Sequence, residues 1–164
     1  MKKLLLICMA FVLFMGFTAC TNTKQASEGE SASIDSHDTA ETEEITDMKM
    51  NVTIGDKSFT ATLEDNAATR ELMKMMGEAP ISINMDDYSG FEKVGSLGKS
   101  LTTDNRQITT HAGDIVLYSG NQIVMFYGSN SWSYTKIGKI DDLSGWEDAL
   151  GNGSITAVFS LEES

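Results

Sequence analysis

The sequence predicts a mainly β protein: a small closed β-barrel of about eight short strands, with two short helices covering its open ends. Three observations carry this. First, apolar residues alternate at period two in several short runs separated by Gly, Asn and Asp. Second, the runs Asp114–Tyr118 and Gln122–Tyr127 are apolar on both faces, so both must be central strands with material packed on either side. Third, an open sheet with such strands would expose a pairing-competent edge, and closure removes it.

The elements follow in order along residues 48–164. Met48, Met50, Val52 and Ile54 share one face of a half-buried strand, and Phe59, Ala61 and Leu63 resume the alternation. Gly55-Asp56 between them suits a type II′ hairpin. Asp65 and Asn66 are N-cap candidates for a helix carrying Ala68, Leu72, Met75 and Met76 on one face, with Gly77 and Pro80 as its stop. This methionine-rich face reads as core packing, with a soft binding surface as the alternative. Ile81, Ile83 and Met85 form a third strand, Asp86 to Gly90 has turn chemistry, and Phe91 to Leu97 forms a fourth strand interrupted by Gly95. Lys99 to His111 is polar apart from Leu101 and Ile108 and reads as a long loop containing Arg106. Two central strands follow, then a strand from Trp132 to Ile140. Ser144 and Glu147 have capping-box spacing for a helix ending at Leu150, with Gly151 beyond it. Ile155, Ala157, Phe159 and Leu161 alternate in the last strand.

The 164 residues suit one folded domain preceded by other material. Lys2 and Lys3 precede an apolar run, Leu4 to Met15, shorter than the roughly twenty residues a spanning helix needs. Residues 1–19 therefore read as a signal peptide. Phe17-Thr18-Ala19-Cys20 resembles the lipobox of bacterial lipoproteins, with Phe17 where leucine is usual. The resemblance implies a lipid on Cys20 and a location at the extracytoplasmic face of the cell membrane. Residues 20–47 are rich in Ser, Thr, Asp and Glu and contain no aromatic residue, the composition of an acidic, disordered tether.

Composition excludes several functions. The formal net charge of −12 leaves no basic stripe for nucleic acid. Cys8 and Cys20 are the only cysteines, so the domain holds no disulfide and no thiolate metal site, and no metal or cofactor is expected. His111 alone makes no zinc site, and its place at a loop–strand junction suits a turn residue. Gly98-Lys99-Ser100 lacks the earlier glycine of a phosphate loop. Ser133 to Lys136 matches S-x-x-K in spacing, yet lies in a strand where that chemistry uses a helix. The pairs Asp86-Asp87 and Asp141-Asp142 suit solvated turns.

The string from Asn121 to Tyr127, followed by Trp132, resembles the cyclophilin segment in which S-Q-F-F-I precedes a tryptophan at the same spacing. Gly138-Lys139-Ile140 resembles the F-G-K-V segment that follows. As a whole, Met48 to Leu161 resembles the bacterial cyclophilin-like domains of secreted and lipid-anchored proteins, which implies a closed cyclophilin-like β-barrel. Gln122 matches the family glutamine, Val124 stands where a pocket phenylalanine is usual, and Trp132 matches the tryptophan. The arginine-bearing F-H-R-x-I-x-x-F-M-x-Q-x-G-D string of the isomerases is absent. The expected function is a non-enzymatic module that binds a small ligand or peptide through Gln122, Tyr127, Ser131, Trp132, Ser133 and Tyr134, beside Tyr118. Aromatic bodies with polar tips next to Ser and Asn groups suit such a site. The competing assignment places Tyr118, Tyr127 and Trp132 in the core. The alternative function is a prolyl isomerase with a degenerate site, in which Arg106 replaces the missing arginine.

Overall fold

A computed structural model describes residues 48–162. The expected signal peptide over residues 1–19, the expected lipid on Cys20 and the expected acidic tether over residues 20–47 lie outside the described residues. The domain contains β1 (Lys49–Ile54), β2 (Lys57–Leu63), α1 (Ala67–Glu78), β3 (Ile81–Tyr88), β4 (Glu92–Ser96), β5 (Arg106–Thr109), β6 (Asp114–Tyr118), β7 (Gln122–Phe126), β8 (Ser131–Ile140), α2 (Trp146–Leu150) and β9 (Ile155–Leu161). The sheet runs β2-β1-β9-β3-β4-β7-β6-β8, and a β2–β8 pairing returns it to its start. The result is a closed, antiparallel, eight-stranded barrel. β5 adds to the free length of β8 outside the ring.

The β1–β2 hairpin turns at Gly55 with φ +61°, as a type II′ turn requires at its first position. The seam between β2 and β8 pairs Leu63 with Gly138. A Cβ on Gly138 would stand 2.5 Å from the Thr62 carbonyl, so only glycine lets the two backbones approach closely enough to close the ring. Gly95 does the same where β4 crosses β3, because a Cβ there would lie 2.5 Å from Ile83 Cγ2. What reads in the sequence as a weak point of the strand is thus a close-approach position.

The barrel interior is filled by residues including Met50, Val52, Ile83, Met85, Ile115, Leu117, Ile123, Met125, Ile137 and Phe159. The opposite faces of β6 and β7 carry Val116, Val124 and Phe126, which join Tyr134 in a second, outer cluster with Phe91, Val94 and Ile108 beside it. Both faces of these two central strands are therefore buried, as their unbroken apolar sequence requires. α1 packs against β9 and β8 and buries Ala68, Leu72 and Met76. α2 sets Trp146 edge-on against Phe59 near the start of β2, with ring centroids 5.0 Å apart, and the indole Nε1–H donates to the Phe126 carbonyl at 2.9 Å.

Several local details differ from the sequence expectation, although α1 is capped by Asn66, one of its two N-cap candidates, whose side chain accepts from the Thr69 N–H at 3.0 Å. It continues through Gly77 to Glu78 and ends at Ala79, whose extended backbone is the conformation that Pro80 imposes on its predecessor. β3 continues through Asp86 and Asp87 to Tyr88, and the turn falls on Ser89 and Gly90, both with positive φ. Part of the expected long loop is strand β5. The Ser144–Glu147 capping box does not form: Gly145 is the N-cap in a left-handed conformation, without a side-chain hydrogen bond.

Candidate functional site

The pleat that sends Leu117, Ile123 and Met125 inward sends alternate residues of the same strands outward. Register places Val94 beside Val124, Glu92 beside Phe126, Val116 beside Val124, and Tyr118 beside Gln122. Val94 and Val124 thereby contribute apolar surface to a concavity of about 340 Å³ on the outside of the barrel. Gln122, Tyr118 and Asn130 add polar groups. Tyr88, Trp132 and Tyr134 complete the aromatic lining, and Glu92 is the one charged residue among those that line it.

Trp132 is 56% exposed and Tyr88 59% exposed. Tyr118 stands 36% exposed, so neither Tyr118 nor Trp132 is a core residue. Tyr134 differs from them. It is buried, its ring meets those of Tyr118 and Phe126 edge-on at 6.0 and 5.7 Å, and its hydroxyl accepts from Asn130 Nδ2 at 3.0 Å. Burial is the main cause that raises the Tyr134 pKa, with the nearby Glu92 charge adding to it. The concavity therefore combines one fixed aromatic ring with three accessible ones.

Glu92 is the chemically unusual member. It is 6% exposed, and its Oε2 is buried with no hydrogen-bond partner among the described residues. Burial pushes its pKa from the ordinary 4.5 up to about 7.

Of the six residues expected to bind ligand, Gln122, Trp132 and Tyr134 line this concavity. Tyr127 packs instead against the interior cluster, and its hydroxyl donates to Asp87. Ser131 and Ser133 lie outside the lining. Ser131 Oγ is 2.7 Å from Thr109 Oγ1, and Ser133 pairs with Gln107 of β5. Sequence reasoning did not single out Glu92 or Tyr88. The available signal was a charged Glu92-Lys93 pair within a strand next to one that is apolar on both faces.

Arg106 pairs with Tyr134 across β5 and β8 and does not line this concavity. It borders a second one of about 310 Å³ with Asp104, Glu64 and Lys136, which Tyr134 also lines. Its guanidinium pairs with Asp104 at 2.8 Å and is largely exposed. Lys136 is paired with Glu64 at 3.1 Å, so the charges bordering this second concavity already include two ion pairs. Arg70 pairs with Asp65 on the surface. His111 serves the turn before β6, its backbone N–H donating to Asp114 Oδ2 at 2.8 Å. Asp86 accepts from Ser154, and Asp141 from Thr62 and Lys49, so neither aspartate pair is an isolated dyad.

A family model described as the cyclophilin-like family matches residues 52–160. The solution structure of a hypothetical protein from Archaeoglobus fulgidus superimposes with a TM-score of 0.52 at 14% identity. That match covers 71% of this chain and 95% of the other, and at this identity it establishes the shared fold. No curated protein matches the sequence.

Proposed function

We propose, for a chain that belongs to the cyclophilin-like family, that the domain is a non-enzymatic binding module whose small ligand or peptide occupies the outer concavity. The proposal includes a lipid on Cys20 that holds the module at the extracytoplasmic face of the cell membrane. The observation that carries the binding reading is the exposed Trp132 ring beside an apolar floor with Gln122 and Asn130 at hand. A large aromatic side chain left in water beside a shaped apolar surface has no stabilising task in the free domain. It has one when a ligand covers it.

A ligand screen read by the Trp132 indole resonance tests this reading. A specific ligand shifts that resonance, and calorimetry on Trp132→Ala, which lacks the reporter, finds the interaction lost while the fold persists. A Trp132→Ala chain that fails to fold, with no ligand found for the parent, overturns it. The anchor is tested separately: Cys20→Ser is expected to release the protein from membranes, and unchanged membrane retention counts against the lipid.

The alternative, residual prolyl isomerase activity, draws support only from the partial match of Gln122 and Trp132 to the family motif. Arg106 lies on the other concavity. A coupled assay with an X-Pro peptide is expected to give the uncatalysed rate. A faster rate that Arg106→Ala removes would establish the alternative.

A further inference from the structure

Resting on the reading of the outer concavity as a ligand site, the geometry points to the class of ligand: an organic ammonium cation, held by the Glu92 carboxylate among the rings of Tyr88, Tyr118, Trp132 and Tyr134. The starting observation is the carboxylate oxygen without a partner, Glu92 Oε2, on a side chain 6% exposed. Burying an ionised carboxylate alone is costly, and the cost is offset when a positive group arrives. The residues lining the concavity include no Lys, Arg or His. The polar neighbour Asn130 is already engaged, donating to the Tyr134 hydroxyl and accepting from the Ser131 N–H. The missing positive charge is therefore one that a ligand can supply.

The rest of the lining selects the kind of cation. Aromatic faces attract cations through their quadrupoles, and the attraction grows as the cation loses water. Val94 and Val124 offer apolar contact to alkyl groups on the same cation. A hard metal ion needs several oxygen ligands, and here a single carboxylate is present. Among the described residues no cluster of three or more His, Cys, Asp or Glu side chains is arranged to hold a metal. An anionic ligand would meet Glu92 and a chain of net charge −12. A neutral apolar ligand would cover the carboxylate without pairing it. A concavity of about 340 Å³ accommodates a methylated ammonium head with a short chain, at the small end of the roughly 300–1,000 Å³ usual for ligand pockets.

The test titrates the full chain with choline and with 3,3-dimethylbutan-1-ol, a neutral isostere in which carbon replaces the nitrogen. Calorimetry and the Trp132 indole resonance report binding. Choline is expected to bind about tenfold more tightly than the isostere, Glu92→Gln to remove that preference, and Trp132→Ala to weaken both probes. Equal binding of the two probes, unaffected by Glu92→Gln, overturns the cation inference and leaves the ligand-site reading standing. No response to either probe overturns it too, and a peptide screen on the same resonance then decides the ligand-site reading separately. A response to calcium chloride at matched ionic strength that Glu92→Gln removes, with none to choline, identifies an inorganic cation site and also overturns the inference.

Discussion

Glu92 and Lys93 are adjacent on β4, carry opposite charges, and are both buried, yet they sit on opposite faces of the strand in opposite circumstances. Lys93 Nζ is fully buried and satisfied. It donates to Asp87 Oδ1 at 2.7 Å and to the carbonyls of Gly151 and Gly153 at 3.0 and 2.7 Å, and it lies 5.5 Å from the Tyr127 ring centre. The bond that Asp87 accepts from Lys93, then the one from Tyr127, holds its carboxyl below the usual carboxylate range. Glu92 has an oxygen with no such partner. One charge ties β3, β4 and the segment before β9 together, and the other faces a concavity. The Lys93 charge is completed within the fold, whereas the proposal leaves the Glu92 charge for a ligand to complete.

The comparison can be broken at four places. Lys93→Met should have the largest effect on folding, a loss of about 3 kcal/mol in urea denaturation, because two carbonyls and a carboxylate lose their donor. A loss below about 0.5 kcal/mol would show that the Lys93 network does not hold the strands. Next comes Glu92→Gln. The native pKa of about 7 lies above the ordinary 4.5, so the folded chain keeps its proton longer than the unfolded one. That favours folding below about pH 4.5 and is lost as pH rises through 7, a swing of about 3 kcal/mol at most. Glu92→Gln is expected to be the more stable chain at pH 8 and level with its parent at pH 4. Parallel stability–pH curves would contradict the burial of an ionisable Glu92.

Tyr127→Phe removes one hydrogen bond from the satisfied side and should cost about 1 kcal/mol. The Tyr127 hydroxyl is pushed up to about 12 by burial first and by its bond to Asp87 second. Spectrophotometric titration should therefore lose its highest-pH tyrosine in this variant. The smallest effect on folding belongs to the open side: Trp132→Ala should change stability by no more than about 0.5 kcal/mol, since the ring stands in water. A larger loss, with normal ligand binding, would make the ring a structural one.

Much of the fold was legible because alternation at period two is a local property. β1, β2, β6, β7 and β9 fall where the pattern puts them, and the two-sided apolar strands are the ones that separate the two clusters. β5 was not legible, since its Arg106, Gln107 and Thr109 are exposed and only Ile108 is half-buried. A strand that adds outside the ring needs no apolar face of its own. The capping box failed because a left-handed Gly145 turns the chain into α2, a conformation that the Ser144–Glu147 spacing does not report. At the site, Gln122, Trp132 and Tyr134 were legible from the strand and its following loop. Glu92 and Tyr88 were not, because they reach the concavity from β4 and β3, 30 to 46 residues earlier in the chain than Gln122, Trp132 and Tyr134.

By itself, the sequence determined the barrel, which residues of each alternating strand turn inward, and the aromatic segment around Trp132. Those follow from which neighbouring residues are apolar, and hydrophobic burial acts on that pattern directly. Only the tertiary structure decided which aromatics stand in water, that Arg106 lies by a different concavity, and that Glu92 is buried with one oxygen lacking a partner among the described residues. Exposure and hydrogen-bond satisfaction depend on what distant strands bring alongside, and closing the ring from β2 to β8 is what sets those neighbours.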